Sequence, residues 1–181
     1  YYVTESSEHT SEYLPYYIKR NYPELIDAYR IPLDEYPRRC VKQDKEWKER
    51  KQLLVTDKVE HSLSNEFASS IVAAKSGGEV CRIHGNVLNK GLIVNLPEDC
   101  CVEVPCLIDK NGVNPCYVGA LPEQLAALNR TNINVQNLAA EAAAKRSREL
   151  VYMAAYLDPH TAAELSMDEI RAMCDELFAA H

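Results

Sequence analysis

Apolar and polar positions change their spacing twice along this chain. Over the first third the apolar side chains are widely separated and mixed with tyrosine, charge and proline. Residues 11–20 (SEYLPYYIKR) and 23–30 (PELIDAYR) read as short helices. The second opens on Pro23, whose fixed φ and missing N–H suit a first helical turn. A longer helix is predicted from the IPLDEYPRRC stretch to about Leu54, with Asp34 as its N-cap. Its apolar positions, Tyr36, Cys40, Trp47 and Leu54, lie so far apart that much of this helix should be wet. Ser64 is the expected cap of a further helix that stops at Gly77-Gly78.

After Gly78 the period shortens. VCRIHGNV, GLIVNL, CCVEVPCLID and the run near CYVG are rich in β-formers and separated by Asn, Gly, Pro and Asp. In CVEVPCL the alternation puts Val102, Val104 and Cys106 on one sheet face and Glu103 on the other. KNG within LIDKNGVNP is a tight-turn signal. From Leu121 the period is helical to the end. A long alanine-rich segment carries Pro122 near its start, Ser147 can cap RELVYMAAYL, and Ser166 with Glu169 forms a capping box. Helices, a small sheet and then helices again define an α+β fold.

Composition narrows the function classes. The length of 181 residues suits one ordinary domain. A net charge of −7 and the absence of a basic block argue against a nucleic-acid surface. No apolar run reaches the ~18–20 residues of a membrane span, and no signal peptide is read at the start. The seven cysteines are odd in number, include an adjacent pair and fall partly in apolar runs, so reduced thiols in a cytoplasmic protein are expected. No C-x-x-C occurs, which leaves a structural zinc site without support. The lack of a starting Met suggests a piece of a longer protein.

Candidate chemistry begins in YYVTESSEHTSEY, where Glu5, Glu8, His9 and Glu12 crowd together. On a helix, Glu5 and His9 form an i,i+4 pair, as do Glu8 and Glu12. Three roles stay open for them: a metal site, an acid–base site and a solvated polar face. His84, Asn86, Asn89 and Asn95 surround the next polar concentration, where asparagines satisfy turn backbone or present amides to a ligand. Asp158 in DPHTAAELS reads as a helix cap, and His160 as part of that junction. Asn129, Asn132, Asn134 and Asn137 inside a helix suggest buried hydrogen bonds, an interface or a polar face. Glycine-rich phosphate loops and G-x-S-x-G are absent from the sequence.

The strings TESSEH, PLDEYPRRC, GNVLNKGLIVNLPEDCCVEVPCLIDKNGVNP, VGALPEQLAALNRTNINVQ and LDPHTAAELSMDEI together resemble glycoside hydrolase family 4 of the bacterial α-galactosidase type, across the whole of 1–181. The resemblance implies the C-terminal substrate-binding and oligomerisation domain of a lactate/malate-dehydrogenase-like, NAD-dependent glycosidase. Its helices would pack on a small mixed or antiparallel sheet, and the N-terminal Rossmann portion would be missing. It implies hydrolysis of α-galactosides of the melibiose and raffinose type, by oxidation at C3, deprotonation at C2, elimination and water addition. NAD and Mn²⁺ would serve the full-length enzyme, with no cofactor or metal ligands in this chain, and the fragment alone would be inactive. The same family includes α-glucosidases and α-galacturonidases, and a non-catalytic assembly role is a further alternative. By the resemblance Tyr1 is the candidate C2 base. Glu5, Ser6, His9 and Asn95 would line the sugar pocket, and the enzyme would be a cytoplasmic homo-oligomer with no nucleic-acid or membrane partner.

Overall fold

The computed structural model describes residues 6–56, 62 and 64–181. The chain separates into two compact units, Tyr1–Asn65 and Glu66–His181.

The first unit is helical: α1 (Ser7–Tyr13), α2 (Glu24–Ala28) and α3 (Glu35–Val55). The helix expected over 11–20 begins four residues earlier. Ser6 caps it by accepting from the His9 backbone N–H at 3.4 Å. It ends at Leu14, which is extended (φ −118°, ψ 143°) because Pro15 disfavours helical geometry in the residue before it. After α2 the chain reverses through Arg30 at φ 54°. The Ile31 N–H donates to Ile26 O at 2.9 Å and the Arg30 N–H to Asp27 O at 3.1 Å, the bond pair of a Schellman motif. Ile31, 7% exposed, is the buried anchor of this turn. Asp34 precedes α3 as expected, but in the left-handed region (φ 56°) and without a side-chain capping bond. No residue of α3 is buried, as the wide apolar spacing predicted.

The second unit holds α4 (Ala68–Lys75), strands β1 (Cys81–Leu88), β2 (Cys101–Asp109) and β3 (Gly112–Pro115), then α5 (Glu123–Lys145), α6 (Arg148–Leu157), α7 (Pro159–Glu164) and α8 (Met167–Ala180). The strands form one antiparallel sheet in the order β1-β2-β3. Cys81 faces Ile108 and Leu88 faces Cys101 across β1 and β2, and the KNG turn sits between Asp109 and Gly112. Burial alternates along β2 as the sequence predicts: Val102, Val104, Cys106 and Ile108 point inward, while Cys101, Glu103 and Leu107 are exposed. Ile93, Leu96, Cys100, Ala126 and Ile133 complete this core, so α5 packs on the inner sheet face.

One expected strand does not form. Residues 91–96 fold as a turn-rich loop, with one isolated bridge from Ile93 to Gly119. The strand expected near CYVG forms just before it, as β3, and Cys116–Val118 themselves carry no regular structure. α4 is entered through Phe67 rather than Ser64, and Gly77 (φ 94°) follows its end. Capping in the C-terminal helices matches the sequence. Ser147 accepts from the Leu150 N–H at 3.3 Å, Asp158 from the Thr161 N–H at 2.7 Å, and Ser166 with Glu169 makes a full capping box. Arg146 (φ 51°) turns α5 into α6, with the Ser147 N–H donating to Ala142 O at 3.0 Å and the Arg146 N–H to Ala143 O at 3.3 Å.

Candidate functional site

Two polar arrangements contain the residues singled out in the sequence, one in each unit. Tyr1 and Glu5 lie outside the described residues. In the first unit, Ser6 spends its hydroxyl on the α1 cap, which brings it and His9 together. Glu8 and Glu12 both lie on α1, but Glu8 is committed elsewhere. Arg39 Nη2 reaches its Oε2 at 3.0 Å while Arg39 Nε holds Glu35 Oε1 at 3.2 Å. Arg38 Nη2 holds the other Glu35 oxygen at 2.9 Å. The guanidinium groups of Arg38 and then Arg39 keep the Glu35 carboxyl below the ordinary carboxylate range. Ser11, 1% exposed, donates its hydroxyl to Glu8 O at 2.7 Å. Beside this network is a cleft of about 170 Å³ walled by Glu8, Ser11, Glu12, Ile31, Asp34 and Tyr36. The opening cluster is therefore a charge-paired helix face with a small cleft at its edge. Among the described residues no group of three or more His, Cys, Asp or Glu is placed to hold a metal ion.

In the second unit the loop after β1 is organised by two asparagines. Asn89 is fully buried. Its Nδ2 donates toward Ile93 O at 2.9 Å, Leu96 O at 3.1 Å and Pro97 O at 2.9 Å, and its Oδ1 accepts from the Ile93 N–H at 2.7 Å. The side chain thus replaces a strand partner for a stretch that would otherwise bury unpaired backbone. Asn95 performs the next join. Its Nδ2 donates to Leu121 O at 2.8 Å and its Oδ1 accepts from the Leu121 N–H at 2.9 Å. Arg130 on α5 donates from Nη1 to Asn95 O at 2.9 Å and pairs with Glu123. Arg130, and then the Asn95 amide, hold the Glu123 carboxyl below its ordinary value.

The other polar candidates have plainer places. His84 and Asn86 are exposed on the outer sheet face, opposite Pro105 and Glu103. Asn129, Asn134 and Asn137 are exposed on α5, which corrects the buried-bond reading for those three. His160 on α7 keeps Nδ1 buried without a protein partner. The seven cysteines are all free thiols: Cys100, Cys106 and Cys174 are buried, and Cys40 and Cys101 are exposed. Burial, and then the Asp99 and Asp175 carboxylates respectively, push the Cys100 and Cys174 thiols upward. The Glu8–Arg39 pair spans 31 residues and had no sequence signal beyond opposite charge. The role of Arg130 was also not legible from spacing.

The chain matches the family 4 glycosyl hydrolase C-terminal domain over residues 1–161. It is 59% identical to an alpha-galactosidase of Bacillus subtilis (strain 168) along all of its length, which is 42% of that relative. A solved structure assigned as a glucosidase from Bacillus subtilis superposes with a TM-score of 0.81 at 25% identity, covering 93% of this chain and 38% of that one. A 6-phospho-alpha-glucosidase from gut microorganisms, solved with NAD and Mn²⁺, has a TM-score of 0.64 at 19% identity over 88% of this chain and 33% of its own, a likeness of fold alone. The chain belongs to family 4 of the glycosyl hydrolases. It spans about two-fifths of the length of the curated relatives it matches.

Proposed function

We propose that this chain is the C-terminal part of an α-galactosidase acting on α-galactosides of the melibiose and raffinose type. The observation that carries this is 59% identity along the whole chain to an alpha-galactosidase. In this reading NAD and Mn²⁺ serve the complete enzyme: the dinucleotide exchanges hydride with the sugar and the metal stabilises negative charge on its oxygens. By the family resemblance, the metal ligands are assigned to the N-terminal portion of the complete enzyme and not to this segment. The two-carboxylate scheme of most glycosidases is not invoked.

The chain's own contribution is the wall of the sugar pocket. Tyr1 is the proposed base at C2, and because a phenol's ordinary pKa is ~10 it needs a cation beside it to work at neutral pH. Glu5, Ser6 and His9 follow it along the same wall. Within its own unit, Asn95 fixes the loop after β1 to the start of α5 through Leu121. The complete enzyme is taken to be a cytoplasmic homo-oligomer. That α3 buries none of its residues favours an assembly role for the first unit as a companion reading.

The test is to express the chain with its upstream residues and assay nitrophenyl α-galactoside, α-glucoside and α-galacturonide with NAD, Mn²⁺ and a reductant. Turnover of the galactoside well above the other two is expected. Preference for either of the others overturns the sugar assignment. Turnover by the purified 181-residue chain alone overturns the inactive-fragment reading.

A further inference from the structure

The apolar positions that the sequence spreads thinly along α3 come together on the folded helix. Cys40, Trp47 and Leu54 recur at intervals of seven, and Tyr36 lies one turn before Cys40. With about 3.6 residues per turn, all four side chains leave the axis within roughly 40° of one another, in a stripe about 27 Å long. The described residues leave this stripe open. Tyr36 is 75% exposed, Trp47 59% and Leu54 58%, and Cys40 is exposed as well. Trp47 is the single tryptophan of the chain. The Arg39–Glu8 pair that ties α3 to α1 leaves the helix about a quarter-turn away from the stripe.

Apolar residues seven apart suit a helix that packs lengthwise on another helix, because a repeat of about 3.5 residues keeps one seam facing the partner. The 21 residues of α3 hold three such repeats. Cys40, Trp47 and Leu54 take one seam position, and Tyr36, Gln43 and Arg50 take the other. The charges then select the partner and its direction. A parallel copy of α3 would set Arg50 against Arg50 inside the seam. A reversed copy sets Arg50 beside Cys40, Trp47 beside Gln43 and Leu54 beside Tyr36. The same reversal brings Asp44 of each helix to Lys51 of the other, once on either side of a two-fold axis. Both groups are available for this. Lys51 makes no ion pair among the described residues, and the Asp44 side chain is 65% exposed beside Lys48. Glu46 meets its own counterpart near the axis, where Lys42, 3.7 Å from it, offsets the like charge. The stripe is complementary to itself, which is what a two-fold interface requires.

We propose that α3 pairs with α3 of a second copy of this chain, antiparallel across a two-fold axis, with Trp47 as the central anchor. The proposal rests on the assembly reading above and gives that reading a surface, a partner and a direction.

The experiment uses the complete enzyme, with the residues upstream of this chain in place. Sedimentation velocity over a concentration series measures its association. Trp47→Asp should raise the dissociation constant of one assembly step about 100-fold or more, while its far-UV circular dichroism stays that of wild type. Direction is read with a short bis-maleimide and a denaturing gel. Arg50→Cys should give a covalent dimer through the partner's Cys40, and adding Cys40→Ser should abolish it. Lys45→Cys, on the opposite side of α3, should give none above wild type. Unchanged association in Trp47→Asp, no covalent dimer in Arg50→Cys, or a dimer that survives Cys40→Ser overturns the antiparallel pairing. If Trp47→Asp does not fold, the cross-linking decides alone. An enzyme that assembles regardless of Trp47 keeps the homo-oligomer reading and loses this pairing, whereas one that stays monomeric loses both. Turnover of nitrophenyl α-galactoside by the same wild-type sample tests the sugar assignment separately.

Discussion

Replacing Asn89 with alanine should be among the most damaging single changes in the second unit. The amide is fully buried and joins four backbone groups of the following loop. Its two N–H protons are shared among three carbonyls and its oxygen takes one N–H, so three proton-mediated bonds are lost. At a net value of about 1–1.5 kcal/mol each, with the partners left without water, the loss is about 3–4.5 kcal/mol. The backbone bond from the Asn89 N–H to Cys100 O at 2.9 Å survives the change, so β1 itself is not removed. In urea denaturation followed by far-UV circular dichroism, a slope of about 1.5 kcal/mol/M turns this into a midpoint shift of roughly 2–3 M. Asn89→Asp keeps the shape but presents acceptors to three carbonyls, so its carboxyl pKa in the fold must rise above the unfolded value of ~3.9. A group raised on folding favours the native state at low pH and loses that contribution as pH climbs. The aspartate variant should therefore be weakest at neutral pH and recover toward pH 4. A midpoint shift below about 0.5 M for Asn89→Ala, or an aspartate variant as stable as wild type at pH 7, would refute the role given to this side chain.

Other expectations follow from local features. Arg146 occupies a left-handed position between α5 and α6, so Arg146→Gly should stabilise by about 0.5–1 kcal/mol despite glycine's larger unfolded-state entropy; thermal unfolding measures it. Thiol titration with an aromatic disulfide should label Cys40 and Cys101 quickly. Cys100, Cys106 and Cys174 should react only with unfolding, and fast labelling of the folded protein at any of these three contradicts their burial. Glu35, Asp109 and Glu123 are all depressed on folding, by Arg38, the Asn111 backbone N–H and Arg130 respectively. Depressed carboxylates contribute above their unfolded pKa and stop contributing as pH falls through the folded one, so stability should be flat above about pH 5 and decline below about pH 4.5. Arg130→Met should remove the Glu123 part of that decline, read as a higher Glu123 pKa by carbon-detected NMR.

What was legible in the sequence was mostly local. Ser147, Asp158 and Ser166 satisfy helix N–H groups within three residues, so their chemistry is written in the adjacent spacing. The inward row of β2 follows from a period of two, which a single buried face enforces. The loop over 91–96 escaped that logic because Leu92, Ile93 and Val94 look like a strand core. What prevents a strand is the Asn89 side chain, which satisfies the loop's backbone before any neighbouring strand can. Asp34 looked like a cap, but its left-handed backbone leaves it without a capping bond. Of the candidate site, the identity of the polar residues was readable and their partners were not. Arg39 meets Glu8, and Arg130 meets Asn95, across 31 and 35 residues of chain. Family likeness supplied what spacing could not, because long ordered motifs survive where pairwise contacts leave no periodic trace.

The bare helix α3 has a thermodynamic meaning of its own. At 21 residues it is about 30 Å long; beyond the Arg39–Glu8 pair that ties its first turns to α1, it is supported by its backbone bonds and by exposed pairs such as Lys48–Asp44 and Lys42–Glu46. Little of its stability comes from apolar burial, the main source of helical stability in proteins. A surface that covered α3 would supply that burial, and part of the contact free energy would go into fixing the helix. Association on this face is then linked to helix propensity, so residues that never touch the incoming surface still tune its affinity. α3 would behave less as a prebuilt wall than as a spring whose resting length is set by salt, temperature and its own sequence.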